Sequence, residues 1–554
     1  MLKLVLGASG SGKTTLLYAR IRARAEAGKR SILLVPEQFT SSTEARIYRE
    51  LGDALSGMVE SYSFTSLAEH ILAALGGAAV QTLTDAGRAV LVRRALEELQ
   101  DNVHYYYRHR RSAAFCQMAA ETIDELKSAG LSGQQLQELA RDCGTESAKL
   151  GELALIFQGY ESLLAGTGMD PADRLELAAD RLEAALARDE LPDFLREREV
   201  FIDEFDTFNA PKKRLMGAML AALPAVTVAL CEDGAPMQPG DLELFSGAKQ
   251  VAAQLRQLAR KNGAQVAAPE LLRRDLRHKD APGLAALTEL LETGSCTPPE
   301  SAPELRLFAA ASREEEARCA AAAIRRLMRQ GVRCGKIAVV CRDISLYRAA
   351  VRYEFRMAEI PLYCDEPTTP EFSAPATAVR ALLALLRGAD MTEQLTVLAK
   401  TGLCDLTEPE VCALENYAYT WSPNAAAWRA EFTKSPRGFG DAELTEEDTQ
   451  NLTRAENARK KLVTAVDTLR SKVRSANAEQ ISRALYFCLK ELGAEGQQAA
   501  QVEDIRTARG IPAAEEAARE WNVVMQLLDE MARLLGSQGI TVPEYEDLFS
   551  LLLR

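Results

Sequence analysis

The N-terminal segment alternates short apolar runs with one stretch of helical spacing. Leu2–Leu6 and Ser31–Pro36 are apolar runs of strand length. Between them, Thr14–Glu26 has helical spacing and is followed by Gly28. Met58–Tyr62 is a third candidate strand. Because two buried strands around one helix make a βαβ unit, this pattern predicts a parallel sheet.

The spacing becomes helical between residues 85 and 195, where apolar residues recur at i, i+3, i+4 and i+7, as in ELALIFQGYESLLAG. Strand character returns at Glu199–Asp203 and again at Val226–Leu230. The sequence therefore predicts an α/β domain made of residues 1–84 and 196–300, with residues 85–195 as a helical insertion.

A second α/β unit is predicted at residues 301–385, after a linker at residues 260–302 that holds a basic stretch and a stretch containing proline and serine. The segments LRLFAA (305–310) and KIAVVC (336–341) have strand character, and helical spacing at 312–331 separates them. Helical spacing continues over residues 386–554, which predicts a second helical insertion that is incomplete.

A glycine-rich segment follows the first predicted strand. GASGSGKT at Gly7–Thr14 fits the P-loop pattern G-x-x-x-x-G-K-[ST]. Glycines allow successive backbone N–H groups to turn toward phosphates, and the lysine reaches the β- and γ-phosphates. A glycine turn without a ligand is disfavoured, because a strand precedes the segment and a helix follows it. We therefore predict ATP as the cofactor, with the binding residues Gly7, Ser9, Gly10, Ser11, Gly12, Lys13, Thr14 and Thr15.

The acidic segment VFIDEFDTF could supply the metal and catalytic groups of such a site. A P-loop site needs an acidic residue at the end of a neighbouring strand to hold Mg²⁺, and Asp203 is in that place. Thr14 is the second predicted Mg²⁺ ligand. Glu204 stands where an ATPase has its water-activating carboxylate, so it is the catalytic candidate. An acidic turn after a strand is the alternative for both carboxylates.

Polar and aromatic residues follow the second and third predicted strands, in VPEQFT and SYSFTSL. Ligands of open α/β sheets bind at the carboxyl ends of the strands. Gln38, Thr40 and Phe64 are therefore candidates to contact single-stranded DNA by hydrogen bonding and stacking. The alternative is that Thr40 and Ser63 cap helices and that the phenylalanines belong to the core.

Other segments have two interpretations. HYYYRHRR (His104–Arg111) interleaves aromatic and basic side chains, which suits either a DNA-binding patch or a helix end with packed tyrosines and a solvated basic face. LSGQQ (Leu131–Gln135) and DEPTT (Asp365–Thr369) resemble parts of transporter-type ATPases. They are too far apart for that family, so we interpret Ser132 as a helix N-cap.

Composition limits the possible functions. The net charge of −13 gives no support for DNA binding by itself, although a translocase needs only a local basic groove. The 11 cysteines include no CxxC pair and the 4 histidines are widely spaced, which argues against a secreted disulfide framework and against a zinc, iron–sulfur or histidine-built metal site in this chain. No apolar run has the length of a membrane span or the form of a signal peptide. We therefore expect a cytoplasmic protein without a membrane partner.

Longer strings resemble a known family. GASGSGKT, LLVPEQFT, MVESYSFTSLAEHIL, FIDEFDTF and IAVVCRDISLYRAAVRYEFRMAEIPLYCDEPTT look like the B subunit of the bacterial ATP-dependent helicase–nuclease AddAB, called RexAB in some lineages. LAKTGLCDLTEPEVCALENYAYTW and the helix at Trp521 extend the resemblance over the whole chain. The layout is that of superfamily 1 helicases, which implies an α/β fold with two RecA-like P-loop-type parallel-sheet domains, each with a helical insertion.

The resemblance implies a nucleotide- and DNA-binding half of a helicase/exodeoxyribonuclease subunit in double-strand-break repair and homologous recombination. It also implies a heterodimer with the A subunit as the main motor, and single- and double-stranded DNA as partners. The hotspot sequence Chi would be read by this half, with Gln38, Thr40 and Phe64 in the reading surface. The family's nuclease and its iron–sulfur cluster would lie beyond Arg554, where we expect the natural protein to continue, so we expect no nuclease activity here.

The superfamily 1 motor elements are incomplete in this sequence. Only 6 residues precede Gly7, which leaves no room for the glutamine motif that reads adenine. No GDxxQS-type element follows Leu230, and no QNYRS-type arginine precedes residue 305. Because an arginine at the γ-phosphate contributes much of the phosphoryl-transfer rate, we expect ATP binding with weak or no hydrolysis. The family often has glycine after the magnesium-binding aspartate, whereas this chain has the carboxylate of Glu204. Residual hydrolysis by the full protein is therefore an alternative. The alternatives are an autonomous ATP-driven helicase or translocase and a P-loop small-molecule kinase.

Overall fold

The computed structural model describes residues 1–77, 82–235, 244–364, 370–440, 443–536 and 539–553. Its strands form one six-stranded sheet in the order β3-β2-β4-β5-β1-β6, and all neighbouring strands are parallel. The strands are β1 Leu2–Gly7, β2 Ser31–Leu34, β3 Val59–Tyr62, β4 Glu199–Ile202, β5 Ala225–Cys231 and β6 Glu270–Leu272.

Helices form most of the remaining structure. In the first half they are α1 Lys13–Glu26, α2 Thr40–Leu51, α3 Asp53–Ser56, α4 Phe64–Leu75, α5 Asp85–Glu98, α6 Ala113–Ser128, α7 Gly133–Arg141, α8 Ser147–Thr167, α9 Pro171–Ala187, α10 Ala210–Ala222, α11 Ser246–Lys261 and α12 Pro282–Thr293. Later they are α13 Arg313–Arg329, α14 Ile344–Met357, α15 Ala374–Arg387, α16 Met391–Lys400, α17 Glu408–Trp421, α18 Ala425–Arg429, α19 Glu446–Val473, α20 Ala478–Glu491, α21 Ala494–Arg509, α22 Ile511–Leu535 and α23 Val542–Leu552. No helix of the described residues combines the length and the apolar composition needed to cross a bilayer.

The sheet is covered on both faces, which explains why its strands are nearly continuous apolar runs. Side chains alternate between the faces, so Leu4 and Leu6 join one core cluster and Val5 joins the other. Helices α4, α9, α10 and α11 contribute to the first cluster, and α1 and α2 contribute to the second. The predicted parallel α/β domain is confirmed, and its carboxyl strand edge is the place where a ligand is expected.

The edge strand β6 is not predicted by the sequence. Its residues, Glu270–Leu272, lie in the segment that we interpreted as a linker, and only Leu272 is even partly buried. An edge strand of this length is too short for an alternating pattern to develop. Its pairing with β1 nevertheless brings the following loop beside the P-loop.

The strands predicted at 305–310 and 336–341 are wrong in this structure. Within the described ranges, neither segment pairs with another strand. Leu307 is 99% exposed and Val340 is 91% exposed, while the flanking helices α13 and α14 pack together through Ile324 and Phe355. A strand is stabilised by a hydrogen-bonded neighbour, and these segments have none here. A second RecA-like domain is therefore not confirmed.

The two predicted helical insertions share one apolar core. Leu96 and Phe157 of the first block belong to the same buried cluster as Leu462 and Leu528 of the second. Helix α5 contacts α22, and α6 contacts α23. Helix α9 is the exception, because it packs against α4 and α10 in the sheet domain. Helix α9, the last helix of the predicted first insertion, therefore packs with the sheet domain.

Candidate functional site

The P-loop is a tight turn between β1 and α1. Gly10 and Gly12 have φ of +81° and +91°, in the left-handed region that glycine adopts without a steric penalty. A Cβ on Gly7 would lie 2.4 Å from Ser11 Oγ and 2.7 Å from the carbonyl oxygen of Leu272. Glycine is therefore required at Gly7 by close approach and at the other two positions by backbone conformation.

An open cavity of about 440 Å³ lies over this turn. Most of the predicted binding residues, both predicted metal ligands and two arginines line it. The polar and charged residues that line it, with the loop glycines, are Ser9, Gly10, Gly12, Lys13, Thr14, Thr15, Asp203, Glu204, Asp206, Arg46 and Arg277. Gly7 and Ser11 are buried in the turn itself, and Ser11 Oγ has no hydrogen-bond partner among the described residues.

Lys13 is held against the loop by backbone acceptors. Its ammonium donates to the carbonyl oxygens of Gly7 at 2.8 Å and Ala8 at 2.9 Å. Burial lowers the pKa of Lys13, although the nearby Cys231 and Asp203 act in the opposite direction. Charge-assisted bonds to phosphate oxygens are stronger than bonds to neutral carbonyls, so a bound phosphate would be a better partner for this desolvated cation.

Asp203 lies at the carboxyl edge of the sheet. Its N–H donates to Leu34 O at 3.1 Å, which extends the pairing of β4 with β2. The residue is only 5% exposed, and its Oδ1 accepts the N–H of Glu204 at 3.0 Å. No cluster of three or more His, Cys, Asp or Glu metal ligands occurs in the described part of the chain. A cation here would therefore rely on Asp203, Thr14 and phosphate oxygens, a ligand set that suits Mg²⁺.

Glu204 has an unusual backbone conformation. Its φ is +65°, where a residue with a Cβ is disfavoured by about 1–2 kcal/mol. The carboxylate lies at the exposed rim of the cavity. Partial burial and the charge of Asp203 raise the pKa of Glu204, while Arg46 lowers it. A raised pKa suits a general base, but this position also favours glycine.

Replacement Glu204→Gly should increase the free energy of unfolding by about 1 kcal/mol, because it removes the left-handed strain. Urea denaturation of both proteins would measure the change. Asp206→Gly is the matched control, since Asp206 lies two residues away and has no positive φ. The control should be less stable than wild type, and a similar loss in Glu204→Gly would contradict the strain at this site.

Two arginines that the sequence patterns do not indicate, Arg46 and Arg277, line the cavity. Leu276 N–H donates to Gly10 O at 3.0 Å, and Arg277 Nη1 donates to Ser9 Oγ at 3.2 Å, so the loop after β6 lies directly on the P-loop. Arg46 extends from α2, and its guanidinium lies 4.9 Å from the ring centroid of Tyr18. Neither arginine occurs in a QNYRS-type string. Only tertiary structure brings them to the nucleotide cavity.

The DNA candidates occupy different environments. Gln38 is exposed after β2, and Thr40 Oγ1 donates to Glu37 O at 3.0 Å, so Thr40 does not cap α2. Phe64 is 2% exposed, with ring centroids 5.2 Å from Phe205 and 6.0 Å from Phe208. The stacking role predicted for Phe64 is therefore contradicted here, because the ring belongs to the core.

The predicted caps of the other helices can be compared directly. Ser63 Oγ accepts the N–H of Ser66 at 3.1 Å, which caps α4. Ser132 Oγ accepts the N–H of Gln135 at 3.3 Å, which confirms that LSGQQ begins α7. The DEPTT segment at 365–369 lies outside the described residues.

Comparison with known proteins agrees with the resemblance seen in the sequence. A family model described as "ADDB, N-terminal" matches residues 4–288. The B subunit of the ATP-dependent helicase/deoxyribonuclease of Desulforudis audaxviator is 30% identical over 98% of this chain and 48% of its own length. Proteins of the same name from Moorella thermoacetica and Symbiobacterium thermophilum are 30% and 27% identical, and the matches cover 48% and 49% of their lengths. The chain spans about half the length of these curated relatives, and it belongs to the AddB family.

Proposed function

We propose that this chain is the nucleotide- and DNA-binding, helicase-like half of one subunit of an ATP-dependent helicase/deoxyribonuclease. The observation that supports this most is the convergence of Lys13, Thr14 and Asp203 on one cavity at the carboxyl edge of a parallel sheet. The name of the relatives supports the wider role. The natural context would be double-strand-break repair and homologous recombination, with the A subunit as partner and main motor.

Nucleotide binding would use the P-loop in the usual way. Backbone N–H groups of the loop and of the first turn of α1 would cradle the phosphates. Lys13 would exchange its carbonyl partners for the β- and γ-phosphates. Thr14 and Asp203 would hold Mg²⁺, which neutralises charge between phosphate oxygens. Arg277 would add a cation from the loop that already bonds to Ser9.

The two arginines of the cavity weaken one of the reasons for expecting slow ATP hydrolysis. The weak turnover expected from the sequence rests partly on a missing arginine, whereas Arg46 and Arg277 both line the cavity. The strained, exposed Glu204 still argues for a poorly positioned base. We therefore propose a nucleotide-binding clamp with slow turnover. The alternative is an autonomous ATP-driven helicase or translocase.

Turnover by wild type and by Glu204→Gln should be equally slow, because a clamp does not depend on a working base. Phosphate release measured with and without single-stranded DNA would test this expectation. Asp206→Asn is the matched control, since it removes another carboxylate of the same cavity. A DNA-stimulated rate that disappears only in Glu204→Gln would instead establish the motor.

DNA binding would involve the same edge of the sheet. Gln38 offers a donor and an acceptor to a base edge, and Thr40 offers a hydroxyl to a phosphate. Gln38 lies just before α2, and Thr40 is the first residue of that helix. Arg46 of the same helix reaches the nucleotide cavity, and this shared element supports communication between the DNA and nucleotide sites. In the complete protein this surface would take part in reading Chi.

The remaining half of the family's length would complete the enzyme. We propose that residues 301–385 begin the second RecA-like domain, and the exposed Leu307 and Val340 support this because a further strand would cover them. The nuclease and any iron–sulfur cluster would belong to the part of the relatives that this chain does not span. This chain alone would then have no nuclease activity.

A further inference from the structure

The loop between α5 and α6 presents aromatic and cationic side chains to solvent. Tyr105 and Tyr107 are 59% and 47% exposed, and Arg108 is exposed beside them. The guanidinium of Arg110 lies 3.7 Å from the ring centroid of Tyr107. A contiguous exposed apolar patch rimmed by polar residues often marks a binding site. The loop is also basic in a chain whose net charge is −13.

Hydrogen bonds hold this loop in shape. The Glu152 carboxylate accepts the N–H groups of His104 at 2.8 Å, Tyr105 at 2.7 Å and Tyr106 at 3.1 Å. The Tyr106 ring packs on Phe115, with ring centroids 5.0 Å apart. The half-buried Tyr106 therefore anchors the loop, while its two neighbours Tyr105 and Tyr107 are exposed. A pre-organised surface binds with less loss of conformational entropy.

The cations of the loop are available to a partner. Across the described ranges, neither Arg108 nor Arg110 forms an ion pair with a carboxylate. Two carboxylates that contact this loop are engaged with other groups: Glu152 accepts backbone N–H groups, and Glu544 lies 3.4 Å from the Arg111 guanidinium. Among the described residues, the Arg110 guanidinium donates a hydrogen bond to the carbonyl oxygen of Tyr107 at 2.8 Å. Phosphate groups would therefore meet positive charge that is not neutralised.

We propose that Tyr105, Tyr107, Arg108 and Arg110 form a binding surface for single-stranded DNA, in addition to Gln38 and Thr40. Unpaired bases would stack on the tyrosine rings, and the arginines would contact the intervening phosphates. Stacking needs no particular base, so this surface would hold the strand without reading its sequence. The inference rests on the proposed DNA-binding function and adds a second contact region, in the helical block.

The test is binding of a fluorescently labelled oligothymidylate to the complete chain, followed by anisotropy. The double variant Tyr105→Ala/Tyr107→Ala should bind at least about thirtyfold more weakly, which corresponds to the loss of two stacked bases. The variant Tyr105→Phe/Tyr107→Phe should retain affinity, because the rings remain. Tyr419→Ala is the matched control, since Tyr419 is 88% exposed on α17, and it should bind like wild type.

The charge contribution is tested separately. Arg108→Ala should reduce the slope of log affinity against log salt by about 0.7, as expected for one lost phosphate contact on a single strand. Arg329→Ala, an exposed arginine on α13, should leave the slope unchanged. An unchanged slope in Arg108→Ala would overturn the phosphate contact.

The outcomes distinguish this inference from the wider function. Normal DNA affinity in the tyrosine double variant, with weaker binding in Gln38→Ala, would overturn the inference and keep the proposed function. Absence of DNA binding by wild type would overturn both. Loss of affinity in the phenylalanine variant would overturn stacking. Melting temperatures should match wild type, because the replaced rings are exposed, and a large decrease would show a structural role instead.

Discussion

Truncation of Phe64 to alanine should lower the free energy of unfolding by about 3–5 kcal/mol, the usual cost of removing a buried phenylalanine ring. The ring is 2% exposed and lies edge-on to Phe205 and Phe208 at the start of α4. Its removal would leave a cavity beneath the carboxyl edge of the sheet. Urea denaturation would measure the loss, and DNA affinity should be measured on the folded fraction.

Phe487→Ala is the control for that experiment, because Phe487 is 51% exposed and should cost far less when truncated. Normal DNA affinity of folded Phe64→Ala would agree with a core role. Unchanged stability together with lost DNA binding would show that the ring leaves the core and stacks on bases, contrary to its packing against Phe205 and Phe208.

Lys13→Ala should weaken ATP binding at least tenfold, or about 1.4 kcal/mol or more. The mutation removes the cation that is held beside the loop by the carbonyl oxygens of Gly7 and Ala8. Titration with a fluorescent ATP analogue would measure the effect. Lys29→Ala is a matched control, because this exposed lysine lies beyond the opposite end of α1. Equal affinities in all three proteins would make the loop purely structural.

The sheet domain is predictable because its signals are local. Parallel strands buried on both faces appear as apolar runs, and the P-loop is confined to one short segment between a strand and a helix. Arg277 is different, because only the pairing of β6 with β1 brings its loop onto Gly10. No pattern near Arg277 in the sequence shows that pairing.

Residue type alone also failed to distinguish two roles for Phe64. A phenylalanine just inside a capped helix can stack on DNA or join the core, and both possibilities fit SYSFTSL. The choice depends on whether other side chains cover it, here Phe205 and Phe208 from the segment after β4. Similarly, LRLFAA has the apolar content of a strand, but a strand also requires a partner that local sequence cannot supply.

Calorimetric titration of the wild-type chain with ATP tests most directly whether the cavity over the P-loop binds ATP with Mg²⁺. We predict one saturable site whose affinity falls when Mg²⁺ is removed, and we predict that Asp203→Asn reduces this dependence on Mg²⁺. No saturable binding at ATP concentrations up to about 1 mM would contradict this claim. The dissociation constant would then exceed about 1 mM, and the binding free energy would be less favourable than about −4 kcal/mol.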